Sequence, residues 1–409
     1  MKSLLTYIAT GFLLLCLGGG VAAYVLWSNH ADENDPMALL ADSAQLQNLI
    51  DQRATQSELD TFFREVAETQ SGVYAFSLMK EGSFYPGIDV HALGHSIGEI
   101  MYGQVGISGM ALCTHDFGNA CSHTMVIGAL MEEGVDALPL IQDACHDAPG
   151  GYSAYVECFH GLGHGVLAFN GYSVERAVAM CHEVGTPELE YQDAVECFGG
   201  ALMELMSGGG HDRDIWEKQR AHYLDTSEPF GLCEQSYLDE RYQEMCYIYL
   251  TPFAYESFGT SSSDYSDDVL QAVFRECETV PSASPRLRQA CFAGLGKEFI
   301  GMSLGLYSAN RPTPTQENLQ QIQDWCSLAL SQDGYSHCTR AVVRSLYAGD
   351  LYSYTIPLAF CALVPTEKQS SCYTQVEQEV AFYLNDEKER AEFCAAFPSS
   401  QQHLCARSE

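Results

Sequence analysis

Residues 145–171 read CHDAPGGYSAYVECFHGLGHGVLAFNG. A cysteine closes one apolar stretch, a short polar loop follows, and a second cysteine opens a run rich in small residues whose apolar side chains recur at helical spacing. The same grammar appears elsewhere: CSHTMVIGALMEEG starts at Cys121, CFGGALMELMSG at Cys197 and CFAGLGKEFIGM at Cys291. The stretches before the first cysteines are also helical in pattern, as in YSVERAVAMC ending at Cys181 and SDDVLQAVFREC ending at Cys277. Each unit is therefore expected to be helix, cysteine, short loop, cysteine, helix.

Working outward, and setting aside Cys16 in the apolar N-terminal stretch, the other 16 of the 17 cysteines fall into eight successive pairs: Cys113 with Cys121, Cys145 with Cys158, Cys181 with Cys197, Cys233 with Cys246, Cys277 with Cys291, Cys326 with Cys338, Cys361 with Cys372, and Cys394 with Cys405. The second members are 37, 39, 49, 45, 47, 34 and 33 residues apart, a helical-hairpin repeat length. A disulfide across each hairpin would contribute ~2–3 kcal/mol through loop closure. Cysteine-ligated metal is the competing reading, disfavoured because no CxxC occurs. Pairing within each hairpin is inferred from spacing, and other connectivities are formally allowed.

In repeat length, small residues and cysteine placement, the chain from about residue 105 onward resembles cysteine-stapled helical-hairpin solenoids of the Sel1-like and tetratricopeptide type. That resemblance implies a shape, an all-α solenoid that is curved or closed, and no activity. Strand signals are scarce, and the turn-rich stretches 207–213, 259–266 and 310–315 read as longer connections.

Disulfides require an oxidising compartment, and the N-terminus supplies a route to one. Residues 4–27 carry no charge and are long enough to cross a bilayer, so they are expected to be a membrane anchor or a cleaved signal peptide. The body is then extracytoplasmic, periplasmic or extracellular, or secreted if the segment is cleaved. The organisation follows as 1–28 anchor or signal, 29–56 acidic tether or capping segment, 57–207 helical repeats with a histidine face, and 208–409 further stapled repeats. The 409-residue chain has a formal charge of −34, with 20 basic against 54 acidic side chains. Such a surface repels a polyanion, which excludes nucleic acid as partner, and it attracts cations.

Nine of the 13 histidines lie between His91 and His211. His160 and His164 follow Cys158 by two and six positions; His91 and His95 stand in the same relation to Asp89, and His123 follows Cys121 by two. Three successive second helices thus present histidine at one equivalent position, and two add another at i+4, the spacing that lets two imidazoles share a metal. Glu99 continues the first of these faces by one turn and is expected as an acidic ligand. Glycines crowd the same segments, which points to close approach either of a neighbouring helix or of a ligand. His115, His146 and His182, each followed by an acid, read as helix C-terminal caps or as partners that orient metal ligands, and His211 as a turn residue or a mobile site residue. Later units carry Gly199 and Met203, Ile248 and Pro252, then Ala293 and Lys297 at the histidine positions.

Nitrogen-rich ligation suits Zn or Cu, and Fe if Glu99 joins. No CxxCH motif for covalent haem is present, although non-covalent haem fits a bis-histidine pair. Motifs for serine hydrolases, HExxH metalloproteases and P-loop NTPases are missing, and Glu99, Glu132 and Glu204 are the candidate general bases. Two functions are expected: an exported, membrane-anchored metal-binding protein, or a metal-dependent enzyme built on the same site; and, in another class, an interaction scaffold whose concave face binds a protein or glycan through Tyr247, Tyr249, Tyr255, Tyr347, Tyr352 and Tyr354.

Overall fold

The computed structural model describes residues 36–85, 88–114, 116–149, 151–184, 190–207, 213–258, 266–280, 284–304, 313–347, 353–383 and 387–405. The apolar segment 4–27, Cys16, His115, His211, Tyr352 and most of the three turn-rich connections lie outside them. No helix of the described residues is long and apolar enough to cross a membrane. Every described regular element is helical, with one isolated bridge between Asp225 and Glu228.

Three helices precede the stapled units: α1 (Pro36–Asp51), α2 (Gln56–Thr69) and α3 (Gly72–Glu81). Leu46 and Ile50 bury one side of α1. A capping box between Thr55 and Glu58 starts α2, and the Ser71 hydroxyl caps α3. Then come α4 (Val90–Val105), α5 (Asp116–Glu133), α6 (Leu138–His146), α7 (Gly151–Phe169), α8 (Val174–Cys181), α9 (Glu190–Ser207) and α10 (Arg213–Tyr223). The remainder comprises α11 (Glu240–Tyr249), α12 (Thr251–Ser257), α13 (Asp267–Thr279), α14 (Pro285–Ser303), α15 (Gln316–Cys326), α16 (Gln332–Tyr347), α17 (Thr355–Leu363), α18 (Thr366–Tyr383), α19 (Glu387–Ala395) and α20 (Gln402–Cys405).

All eight expected disulfides form, with Cα–Cα distances of 5.4–5.7 Å. Most join the end of one helix to the body of the next, as Cys145 of α6 to Cys158 of α7 and Cys277 of α13 to Cys291 of α14. In the first and fourth, a 3-10 segment supplies or adjoins the leading cysteine. The second helices then pack on one another in chain order: α4 on α5, α5 on α7, α7 on α9, α9 on α11, α11 on α14, α14 on α16 and α16 on α18. One contiguous apolar core runs along this row, from Leu46 to Phe397.

Glycine sets the closeness of these contacts. A Cβ at Gly163 of α7 would overlap the Cys197 carbonyl of α9, and one at Gly200 of α9 would overlap the His160 carbonyl of α7. The two backbones touch there, so of the two expectations for these glycines it is the helix–helix approach that this interface uses. The apolar return for that approach offsets the ~1 kcal/mol helix cost of each glycine.

Candidate metal centre

The row of second helices brings the five sequence-equivalent histidines together. Asp89 caps α4, its carboxylate accepting from the Ala92 amide at 3.0 Å, which puts His91 in the first turn and His95 one turn on. His123 sits in the middle of α5, and His160 and His164 lie on α7. Ring centroids of His91 and His95 are 4.5 Å apart, and His123 lies 5.6 and 5.9 Å from them. On its other side His123 lies 6.2 Å from His160 and 5.6 Å from His164, which are 5.4 Å from each other. His123 is therefore the hub between two pairs. Gly161 makes the hub possible, because a side chain there would occupy the His123 ring.

Among the described residues, His91, His95 and His123 offer one donor atom each within 4.8 Å of one another. His91 Nε2 and His95 Nε2 are 3.0 Å apart, close to the roughly 3.3 Å separating two nitrogens ~2.0–2.1 Å from a tetrahedral ion. Tautomers are set from outside the cluster. His91 Nδ1 lies 2.6 Å from the Phe117 carbonyl oxygen, an acceptor only, so Nδ1 carries the proton and Nε2 keeps its lone pair for the site. Phe117 and Asn119 both have left-handed backbone, φ 56° and 63°, at the start of α5. Strain of this kind, ~1–3 kcal/mol per residue, is typical of positions where a site fixes the backbone.

His164 repeats the arrangement with a carboxylate. Its Nδ1 is 3.2 Å from Glu204 Oε2 on α9, and Glu204 also accepts from the Tyr172 hydroxyl at 3.1 Å. A histidine that donates one N–H to a carboxylate or carbonyl and turns the other nitrogen inward is the usual support of a metal ligand. The inward atom, His164 Nε2, is buried without a protein partner, as are both ring nitrogens of His123. Buried polar atoms are satisfied in nearly all native structures, so three such atoms in one cluster have the capacity to take a ligand or an ordered water.

Electrostatics suit neutral donors. Burial pushes His123 and His160 well below the ordinary imidazole range, with the neighbouring imidazoles adding to it, and lowers His91 chiefly by burial. Such groups stay unprotonated and hold their lone pairs near neutral pH.

Other expectations meet different fates. Glu99 is more than half exposed and forms an ion pair with Arg64 Nη2 at 3.2 Å. The acidic group that reaches the histidines is Glu204, one of the three candidate bases, and Glu132 accepts instead from the Tyr102 hydroxyl at 2.7 Å. His146 ends α6 and pairs with exposed Asp147 at 3.1 Å, and His182 caps α8 with its ring 4.7 Å from Tyr242. Tyr247, Tyr255 and Tyr347 are buried in the core.

Beside the cluster lie a tyrosine expected on the binding face and two carboxylates that the sequence reading did not single out. The Tyr249 hydroxyl lies 3.5 Å from His160 Nδ1, and Lys297 sits 4.8 Å over the Tyr249 ring. Glu157 and Glu196 immediately precede Cys158 and Cys197 on neighbouring helices. Burial, with the charge of Glu196 adding to it, pushes Glu157 up to about 7, and burial also raises Glu196. The repeat equivalence that exposed the histidines marks these two carboxylates as well. No family model matches the chain, and no curated protein or solved structure matches it either.

Proposed function

We propose that this is an exported metal-binding protein whose first ion is held by His91, His95 and His123. The observation that carries the reading is the convergence of these three donor atoms within 4.8 Å around a fully buried imidazole with no protein partner. Nitrogen-only ligation favours Zn or Cu, and engagement of Glu99 by Arg64 removes the argument for Fe. The His123 ring lies against Gly161 and neighbouring rings stand 4.5–6.2 Å apart, a spacing that suits single ions. Three protein nitrogens leave a coordination position on a tetrahedral ion, the opening that a metal-dependent enzyme requires. Eight disulfides support an oxidising compartment, and the solenoid with an anchor or cleaved signal peptide at 4–27 completes the proposal: a stapled row of hairpins holding the site outside the cytoplasm. The scaffold alternative is weaker, because three of its tyrosines are core residues.

The test is metal analysis of the full chain purified without chelators, alongside the His91→Ala/His95→Ala double variant. Stoichiometric Zn or Cu in the parent, lost in the variant while far-UV circular dichroism is retained, is expected. Failure of the parent to hold Zn, Cu or Fe, together with no thermal shift on adding each ion, sinks the reading.

A further inference from the structure

An ion on His91, His95 and His123 engages only one nitrogen of His123. It leaves the other His123 nitrogen and His164 Nε2 still buried without a protein partner. Two imidazoles bound ~2.0–2.1 Å from one ion at angles of about 90–180° have ring centroids roughly 4.5–6.4 Å apart. The three separations of the first trio, 4.5, 5.6 and 5.9 Å, fall in this window. So do those of His123, His160 and His164, at 6.2, 5.6 and 5.4 Å.

We infer that the cluster is a two-ion centre in which the His123 ring bridges: His91, His95 and one His123 nitrogen hold the first ion, while His160, His164 and the other His123 nitrogen hold the second. The inference rests on the metal-binding reading above and extends it. Bridging requires the last ring proton of His123 to leave to solvent, so that each nitrogen offers a lone pair. The second half is prepared as the first is. Glu204 takes the His164 Nδ1 proton as its hydrogen bond, just as the Phe117 carbonyl takes that of His91, so Nε2 of each points its lone pair to the site. The second trio is the looser one, since only the first has three donors within 4.8 Å. His160 closes it by a turn of its ring, which is held by nothing stronger than the 3.5 Å contact with Tyr249. Both ions are nitrogen-bound, which selects Cu(II) or Zn(II) for both positions.

The experiment titrates the chelator-treated full chain with Cu(II) in a non-coordinating buffer, reading bound copper after desalting and the EPR signal at each step. Two equivalents are expected, with signal intensity rising to the first and falling on the second as the spins couple through the bridge. His164→Gln, checked by circular dichroism, should bind one equivalent with full signal. A parent protein that stops at one equivalent overturns the two-ion centre and leaves the metal-binding reading standing. Two equivalents with undiminished signal overturn the bridge, and no bound copper, with none for Zn(II) either, overturns both readings.

Discussion

Helices α7 and α14 begin from the same motif and diverge in what they carry. Each has a cysteine joined to the preceding helix, followed by glycine at the fifth position, and that glycine does the same work in both. Gly163 lies against the Cys197 carbonyl, and Gly296 lies against the Cys338 carbonyl of α16. The glycine three positions after a cysteine behaves likewise: Gly200 of α9 abuts the His160 carbonyl, and Gly294 of α14 abuts those of Ile248 and Tyr247. Where His160 and His164 stand in α7, however, α14 has Ala293 and Lys297, with Lys297 paired to Glu298. Glycines thus follow the rule by which one second helix meets the next, wherever in the chain it does so. Histidines do not, since α14 meets α16 without them, which fits the proposal that those in α4, α5 and α7 serve a metal site.

The most disruptive change is a side chain added at the shared contact. Gly163→Val and Gly296→Val each drive carbon into a backbone carbonyl that cannot move without moving a helix. Each should cost about 3 kcal/mol or more, measured as a fall in the chemical-denaturation midpoint. Equal losses support one packing rule, whereas a loss at Gly163 alone would return the C-terminal glycines to ordinary helix positions. Next in size is removal of a staple. Cys326→Ser/Cys338→Ser closes no 12-residue loop and should cost ~2–3 kcal/mol in the chain-entropy picture. Its metal content should be unchanged, because this hairpin lies in the half without the histidine cluster.

How much of this was legible in the sequence depends on the range of the interaction. Cysteine pairing was, because a separation of 8 to 16 residues between the end of one helix and the body of the next brings only the nearest partner within reach. The histidine set was legible for a related reason, since equivalent positions on successive second helices become neighbours once those helices pack side by side. Glu99 was misread. Helical periodicity places it on the face of His95, but Arg64 of α2 takes its carboxylate, and no local pattern announces a partner 35 residues away. Glycine at 163 was ambiguous for the same reason, the group it accommodates being a carbonyl of another unit. Glu204 was in view only as one acid of three, because its role follows from α9 lying against α7 and from the Tyr172 hydroxyl.

A finer contrast sets two carboxylates against each other. Glu204 orients His164, whereas Glu256, away from the histidine cluster, pairs with Arg220 at 2.7 Å. Glu204→Gln should weaken metal binding by about 10–100-fold, the usual effect of losing the group that orients a ligand, and Tyr172→Phe by less. Glu256→Gln should leave binding unchanged. Competition with a chromophoric chelator measures all three, and an equal effect of the two glutamate variants would show the change to be general electrostatics.

The smallest effect concerns protons, and it separates the histidine cluster from the carboxylates beside it. His91, His123 and His160 have folded pKa values depressed below 6.5, chiefly by burial. Below 6.5 the unfolded chain binds protons that the folded chain refuses, so this contribution is present above that pH and is lost as the pH falls. Glu157 is displaced the other way, from 4.5 to about 7, and Glu196 also upward. Between those values the folded chain holds the extra proton on Glu157, so its contribution is present at low pH and is lost as the pH rises through about 7, and Glu196 acts in the same direction. The two slopes oppose each other between pH ~5 and 7, and the metal-free protein, kept in chelator, should show a flattened stability profile there. Glu157→Gln removes one slope and should make stability rise more steeply with pH across this window, while His160→Gln should make it rise less. Denaturation midpoints at half-unit pH steps measure both. If the two variants tilted the profile the same way, the cluster and its neighbouring carboxylates would have to be titrating as one group.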